Sequence, residues 1–209
     1  MTTQSEVLTA TETAVVAGVS VRDVNRIIDE RILPETFYST EPVRSFRVDA
    51  CALISFYFHA ADRLTSEERQ RTILAVSNLS LEWNGRKSCL IEDGFLTVNL
   101  FSFLKSTNDR LSRLREAREL VVMDEEVLGG TPIIKGTRVP VYDVAASMDA
   151  GISTKRILSA YPSLDENALE LAALYAEANP QRGRRRRSAT PPAGAVIVSG
   201  LRRTRRNAA

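Results

Sequence analysis

The sequence predicts a mainly α protein with a small β-hairpin: two small helical domains, each containing a helix-turn-helix-like unit, followed by a disordered basic tail. Three observations carry this expectation. Apolar residues recur at helical spacing in most segments, with Gly and Pro at the breaks. A single strong hairpin signal, Glu92-Asp93-Gly94, separates two short apolar runs. The residues after Pro180 are rich in Arg, Gly, Pro and Ala without periodicity, the composition of a segment that is disordered in isolation.

The first element runs from a Thr9 or Thr11 cap through Ala14–Ala17 to Gly18. Ser20 then caps a second helix with an apolar stripe at Val21, Val24, Ile27 and Ile28. Two short helices around the three-residue connection Gly18-Val19-Ser20 have helix-turn-helix proportions, in which the second helix offers its free face to a major groove. That face carries Arg22, Asn25 and Arg26, and residues 37–46 read as a loop or wing presenting Arg44 and Arg47. Arg and Asn match guanine and adenine edges, and Arg also reaches phosphates, so these five residues are the candidate DNA contacts.

An apolar helix over 48–61, a helix from Thr65 or Ser66 to about Asn78, the hairpin, and a helix of about 18 residues from Ser102 to Glu119 follow. The last looks like a connector. From Val121 a short strand leads into the Gly/Pro-punctuated run 129–141, then three helices over about 141–150, 153–160 and 165–178. The first two of these again have helix-turn-helix proportions, with Gly151 in the turn. The chain thus divides into 1–80, a DNA-binding unit; 81–120, hairpin and connecting helix; 121–180, a three-helix domain; and 181–209, the tail.

Charge is distributed unevenly. The 209 residues carry 28 Lys+Arg and 26 Asp+Glu, a net charge of +2. Residues 1–180 have net −7, while the tail has 9 arginines and no acid. An acidic body with a basic arm suggests an interaction appendage. The DNA-binding unit gains little from overall basicity, since residues 1–60 have net −3. The second unit, at −5 over 121–180, repels a duplex, so its helix pair is read as a dimer element. His59 is the only histidine, and Cys51 and Cys89 have no paired spacing, so no metal site, cofactor, disulfide or enzymatic activity is expected. The order Lys135-Gly136-Thr137 is wrong for a phosphate loop. No apolar window spans a membrane and the N-terminus does not look like a signal peptide, so a cytoplasmic location is expected.

The run Leu128-Gly129-Gly130-Thr131-Pro132-Ile133-Ile134-Lys135-Gly136-Thr137-Arg138-Val139-Pro140-Val141, with Gly151, Tyr161-Pro162 and Ala172–Ala176, resembles the bacterial family called domain of unknown function 433. Gly130, Pro132, Gly136, Thr137 and Arg138 form its structural motif. The N-terminal unit, winged and MerR-like in outline, resembles the DNA-binding domain ahead of this module in VapB-type antitoxins. The resemblance implies a dimeric antitoxin of a type II toxin–antitoxin pair, a repressor of its own operon that neutralises a PIN-domain ribonuclease toxin. That toxin's metal-binding carboxylates would suit the forked guanidinium groups of Arg184, Arg185, Arg186 and Arg187, or of Arg202 and Arg203. The alternatives are a stand-alone helix-turn-helix transcription regulator sensing a small molecule, and an interaction adaptor that does not bind DNA.

Overall fold

The computed structural model describes residues 6–78, 89–94 and 96–181. The tail, with Arg184–Arg187 and Arg202–Arg206, lies outside the described residues.

The first element among the described residues is a strand not expected from the sequence, β1 (Val7–Thr9), which leads directly into α1 (Ala10–Ala17). Thr9 is both the last strand residue and the helix cap. Its Oγ1 accepts from the Glu12 amide, and its own amide donates to Glu12 Oε2 at 2.9 Å, closing a capping box. Gly18 ends α1 in the left-handed region at φ 70°, its amide donating to the Ala14 and Val15 carbonyls while the Val19 amide also reaches Ala14. Helix α2 (Val21–Asp29) starts under the Ser20 cap, and Val24, Ile27 and Ile28 are its buried stripe, while Val21, expected in that stripe, sits in the exposed first turn. It closes without a glycine: Arg31 takes φ 52° so that the Ile32 amide can reach the Ile27 carbonyl.

The wing is a short hairpin of β2 (Tyr38–Ser39) and β3 (Ser45–Arg47). Strand β1 joins its other side, giving a three-stranded antiparallel sheet in the order β1-β3-β2. Phe46, at its centre, is fully buried. Helix α3 (Ala50–His59) follows, buried along almost its whole length, and then α4 (Ser66–Asn78), opened by a second capping box between Thr65 and Glu68.

Hairpin β4 (Leu90–Asp93) and β5 (Leu96–Asn99) pairs around the Gly94 turn in the register expected of a tight hairpin. Helix α5 (Phe101–Leu120) is 20 residues long, about 30 Å. It is more than a connector. Leu104, Leu111 and Leu114 enter the same core as Leu8, Ile27, Phe46, Leu53, Phe56 and the hairpin's Ile91 and Val98. Phe103 stands edge-on to Phe56 with ring centroids 5.6 Å apart.

The second unit has its own, smaller core. Strands β6 (Val121–Val122) and β7 (Ile133–Ile134) pair across the Gly-rich segment, and α6 (Val141–Asp149), α7 (Thr154–Ala160) and α8 (Glu166–Ala178) follow. Ile134, Val141, Val144, Ile157, Leu169 and Ala172 form this core. The motif residues have local structural reasons. Gly130 and Gly136 adopt φ 77° and 76°, and Thr137 Oγ1 donates to the Ile134 carbonyl and accepts from the Val139 amide. The Pro132 carbonyl accepts from the Val141 amide, tying the loop to the start of α6. Arg138 is exposed at the edge of this loop.

Helix α8 belongs to both cores. Leu169 and Ala172 face the second, Ala178 is buried in the first, and the helix packs on α1, α5 and α6. No helix among the described residues is long and apolar enough to cross a membrane.

Candidate nucleic-acid interface

The exposed face of α2 is where the sequence places its DNA contacts, and the wing lies beside it. Arg44, on the approach to β3, reaches back to α2: its Nη1 donates to Asn25 Oδ1 at 3.0 Å and its Nη2 to Asp29 Oδ1 at 2.8 Å. The structure therefore brings Arg22, Asn25, Arg26 and Arg44 onto one surface. Arg22 is exposed there and makes no ion pair among the described residues. Arg26 donates from Nε to Glu30 Oε1 at 2.7 Å, which raises its pKa, and its guanidinium lies 5.9 Å from the Phe58 ring centroid. The Asn25 side chain is engaged at both ends, with Nδ2 donating to the Val21 carbonyl.

Arg47 has a different occupation. Its Nε and Nη2 form a fork on Asp49, whose carboxylate is almost fully buried, and its guanidinium sits over Phe37. Leaving Asp49 buried and unpaired would be costly, so Arg47 holds the base of the wing to the start of α3. Its partners here are Asp49 and Phe37, and neither of them is on α2.

The three arginines Arg22, Arg26 and Arg44 share this surface with three carboxylates: Glu30 and Asp29 pair with Arg26 and Arg44, and Asp23 accepts from Ser20. The surface is thus electrically balanced, as the chain's N-terminal charge implied. A long-range network ties the start of the chain's described part and α1 to α5. Glu6 receives Arg115 and Arg118, and Arg118 Nη2 continues to the buried Glu12 at 2.8 Å. Hydrogen bonding from Arg115 leads the causes that hold the Glu6 carboxyl below the usual carboxylate range. The partners in this network are more than 100 residues apart, so no local pattern in the sequence marks it beyond the arginine spacing on α5.

The turn of the helix-turn-helix is also a contact point for α5. A Cβ built on Gly18 would meet Arg110 Nη1 at 2.6 Å, so the guanidinium packs on the bare glycine. One turn along α5, Arg113 Nη1 donates to Asn167 Oδ1 at 2.7 Å and Nη2 to Glu170 Oε2 at 2.9 Å, joining α5 to α8. Between these contacts is an open groove of about 680 Å³, with Val15, Val19 and Leu174 on its apolar walls and Arg110, Asp109 and Glu177 at its rim.

No group of three His, Cys, Asp or Glu is placed to hold a metal among the described residues. Both cysteines are buried, and burial pushes the Cys51 thiol far up, away from thiolate chemistry. His59 Nδ1 donates to the Ser55 carbonyl at 2.8 Å, an ordinary helix-end contact.

These features define a mainly helical protein in which a pair of capped helices beside a small three-stranded sheet is joined to a second small helical module through a shared helix. The module, residues 121–176, matches the family described as "Protein of unknown function (DUF433)". The chain belongs to the family of "Uncharacterized protein y4eO" of Sinorhizobium fredii: the two are 51% identical over 209 residues, covering 97% of this chain and 95% of that one. No solved structure matches the chain.

Proposed function

We propose that the chain is the antitoxin of a type II toxin–antitoxin pair, a VapB-like, homodimeric repressor of its own operon that also neutralises a PIN-domain ribonuclease toxin. The observation that carries the DNA-binding half is the placement of the wing across α2, so that Arg22, Asn25, Arg26 and Arg44 form one surface behind a rigidly capped turn. Base edges would be read by Arg22, Asn25 and Arg26, and phosphates gripped by Arg44. The balanced charge of that surface gives one copy little counterion release, so affinity would come from two copies on two half-sites. The DUF433 module supports the antitoxin half through the resemblance drawn above. The toxin-binding role falls to the tail, through Arg184–Arg187 or Arg202 and Arg203, whose guanidinium groups would compete with metal and RNA phosphates for the toxin's carboxylates. No catalytic step is assigned to this chain.

The test has two arms. The full chain should retard a duplex from its own promoter, and Arg22→Ala should cost about 1–3 kcal/mol of that affinity if Arg22 reads a base. Co-expression with the neighbouring gene product should give a complex of defined size that loses ribonuclease activity, and deleting residues 181–209 should restore that activity. Full inhibition by the truncated chain sinks the tail assignment, and no retardation at low salt favours an adaptor that does not bind DNA.

The groove against Gly18 favours a second reading. A ligand seated there would touch the turn, α5 and α8 together, as a small-molecule-sensing transcription regulator requires. A gene beside a metabolic operon, with no nuclease gene adjacent, would support that regulator.

A further inference from the structure

The two acidic residues that end the recognition helix are there against local helix energetics. Asp29 is the last residue of α2 and Glu30 its C-cap, at the end where the helix dipole disfavours negative charge. The Arg26–Glu30 pair also runs Arg-before-Glu, the weaker order for residues four apart. Neither carboxylate packs into the core: the Asp29 side chain is 57% exposed and that of Glu30 51%. What each does is hold an arginine of the DNA-facing surface. Asp29 holds Arg44 at 2.8 Å, and Glu30 holds Arg26 at 2.7 Å.

Resting on the DNA-binding reading above, we propose that Asp29 is a specificity-determining residue, an internal stand-in for a DNA phosphate that keeps Arg44 occupied until α2 is correctly seated. A carboxylate and a phosphate offer Arg the same forked acceptor geometry, so Arg44 can pass from one to the other. The exposed pair is weak enough to exchange: Arg44 is 40% exposed, and ion pairs of that kind shift an equilibrium by only about two- to fivefold. Arg44 also covers Asn25 Oδ1, the acceptor that adenine recognition needs. Transfer of Arg44 to a phosphate uncovers that oxygen, so the wing's grip on the backbone and the reading of a base become one event. On arbitrary sequence the base contact is missing, Asp29 competes for Arg44, and binding stays low.

The test compares the full chain, Asp29→Asn, Arg44→Ala and the double variant on two 30-base-pair probes, the promoter duplex and a scrambled duplex of the same composition. Asp29→Asn is isosteric and removes only the competing charge, and a thermal melt of each variant checks folding. Asp29→Asn should tighten binding to the scrambled duplex about two- to fivefold and narrow the promoter-to-scrambled ratio. The slope of log affinity against log salt on that duplex should steepen by about one, for one added phosphate contact. Arg44→Ala should abolish both changes in the double variant. An unchanged scrambled-duplex affinity and slope in Asp29→Asn, with promoter binding intact in the parent chain, overturns this proposal alone. No binding of either probe by any variant at low salt overturns the DNA-binding reading, and this proposal with it.

Discussion

The molecule contains two helix pairs of nearly the same outline, α1–α2 and α6–α7, and they are built by different means. In the first pair each helix start has a side-chain cap, from Thr9 and Ser20, and α2 buries three apolar residues as it packs on α1 and α3. In the second pair Pro140 and Ser153 occupy the cap positions without a side-chain hydrogen bond. Helix α7 has seven residues and only Ile157 is buried. Both turns use a left-handed glycine, Gly18 at φ 70° and Gly151 at φ 74°, but Arg110 packs on the first and nothing lies within 4 Å of a Cβ built on the second. The same outline therefore rests on different fixings: side-chain caps and a packed glycine turn in the first pair, neither of them in the second.

The largest expected difference comes from removing each pair's apolar anchor. Ile27→Ala should lower global stability by about 2–5 kcal/mol in urea unfolding, since Ile27 is fully buried among several elements. Ile157→Ala should instead loosen α7 locally, seen as faster amide exchange confined to residues 154–160. Equal global losses at the two sites would break the contrast. Next come the turns. Gly151→Ala should cost about 1–2 kcal/mol from the left-handed backbone alone, and Gly18→Ala more, because Arg110 must also leave. In an Arg110→Ala background the two glycine substitutions should cost the same. The caps come third: Thr9→Ala should cost about 1 kcal/mol and Ser153→Ala less than about 0.5 kcal/mol by thermal melting.

The smallest effects are on pH dependence, and they have opposite signs in the two units. Glu6, held low chiefly by Arg115, and Glu68, held low by the Thr65 amide, contribute stability above pH 4.5 that is lost as pH falls through their lowered folded values. Tyr142 and Tyr175 are raised chiefly by burial, so their contribution is present below pH 10 and lost as pH rises through the raised values. Acid should therefore loosen the first unit before the second, and alkali the reverse. Residue-resolved amide exchange at both extremes checks this order.

Much of this architecture was legible because it rests on local chemistry. Gly18, Ser20 and the stripe Val24, Ile27, Ile28 specify α2 within a dozen residues, and Asp93-Gly94 specifies the hairpin. What escaped is non-local. Strand β1 is only Val7–Thr9, too short for a periodic signal, and it exists because β3 pairs with it across the intervening helices. The end of α2 carries no glycine, since tertiary packing holds Arg31 in a conformation that its own propensity disfavours. At the interface, the residue types were readable but their pairing was not. Arg44 and Arg47 look alike in the sequence, and the fold sends one to α2 and the other to buried Asp49.

Helix α8 has a consequence for how such a chain can be inherited. Modules that recombine freely end in linkers, so that one can be lost without exposing its neighbour's interior. Here a cut before residue 121 would strip away α8 and leave bare the faces of α1 and α5 that it covers, together with the place that Ala178 fills in the first core. A gene fragment encoding only the first 120 residues would yield an incompletely covered core, and a transplanted module would carry a helix shaped for another protein's surface. Selection should therefore keep the two units together, and the Sinorhizobium fredii relative is alike across both, over 97% of this chain.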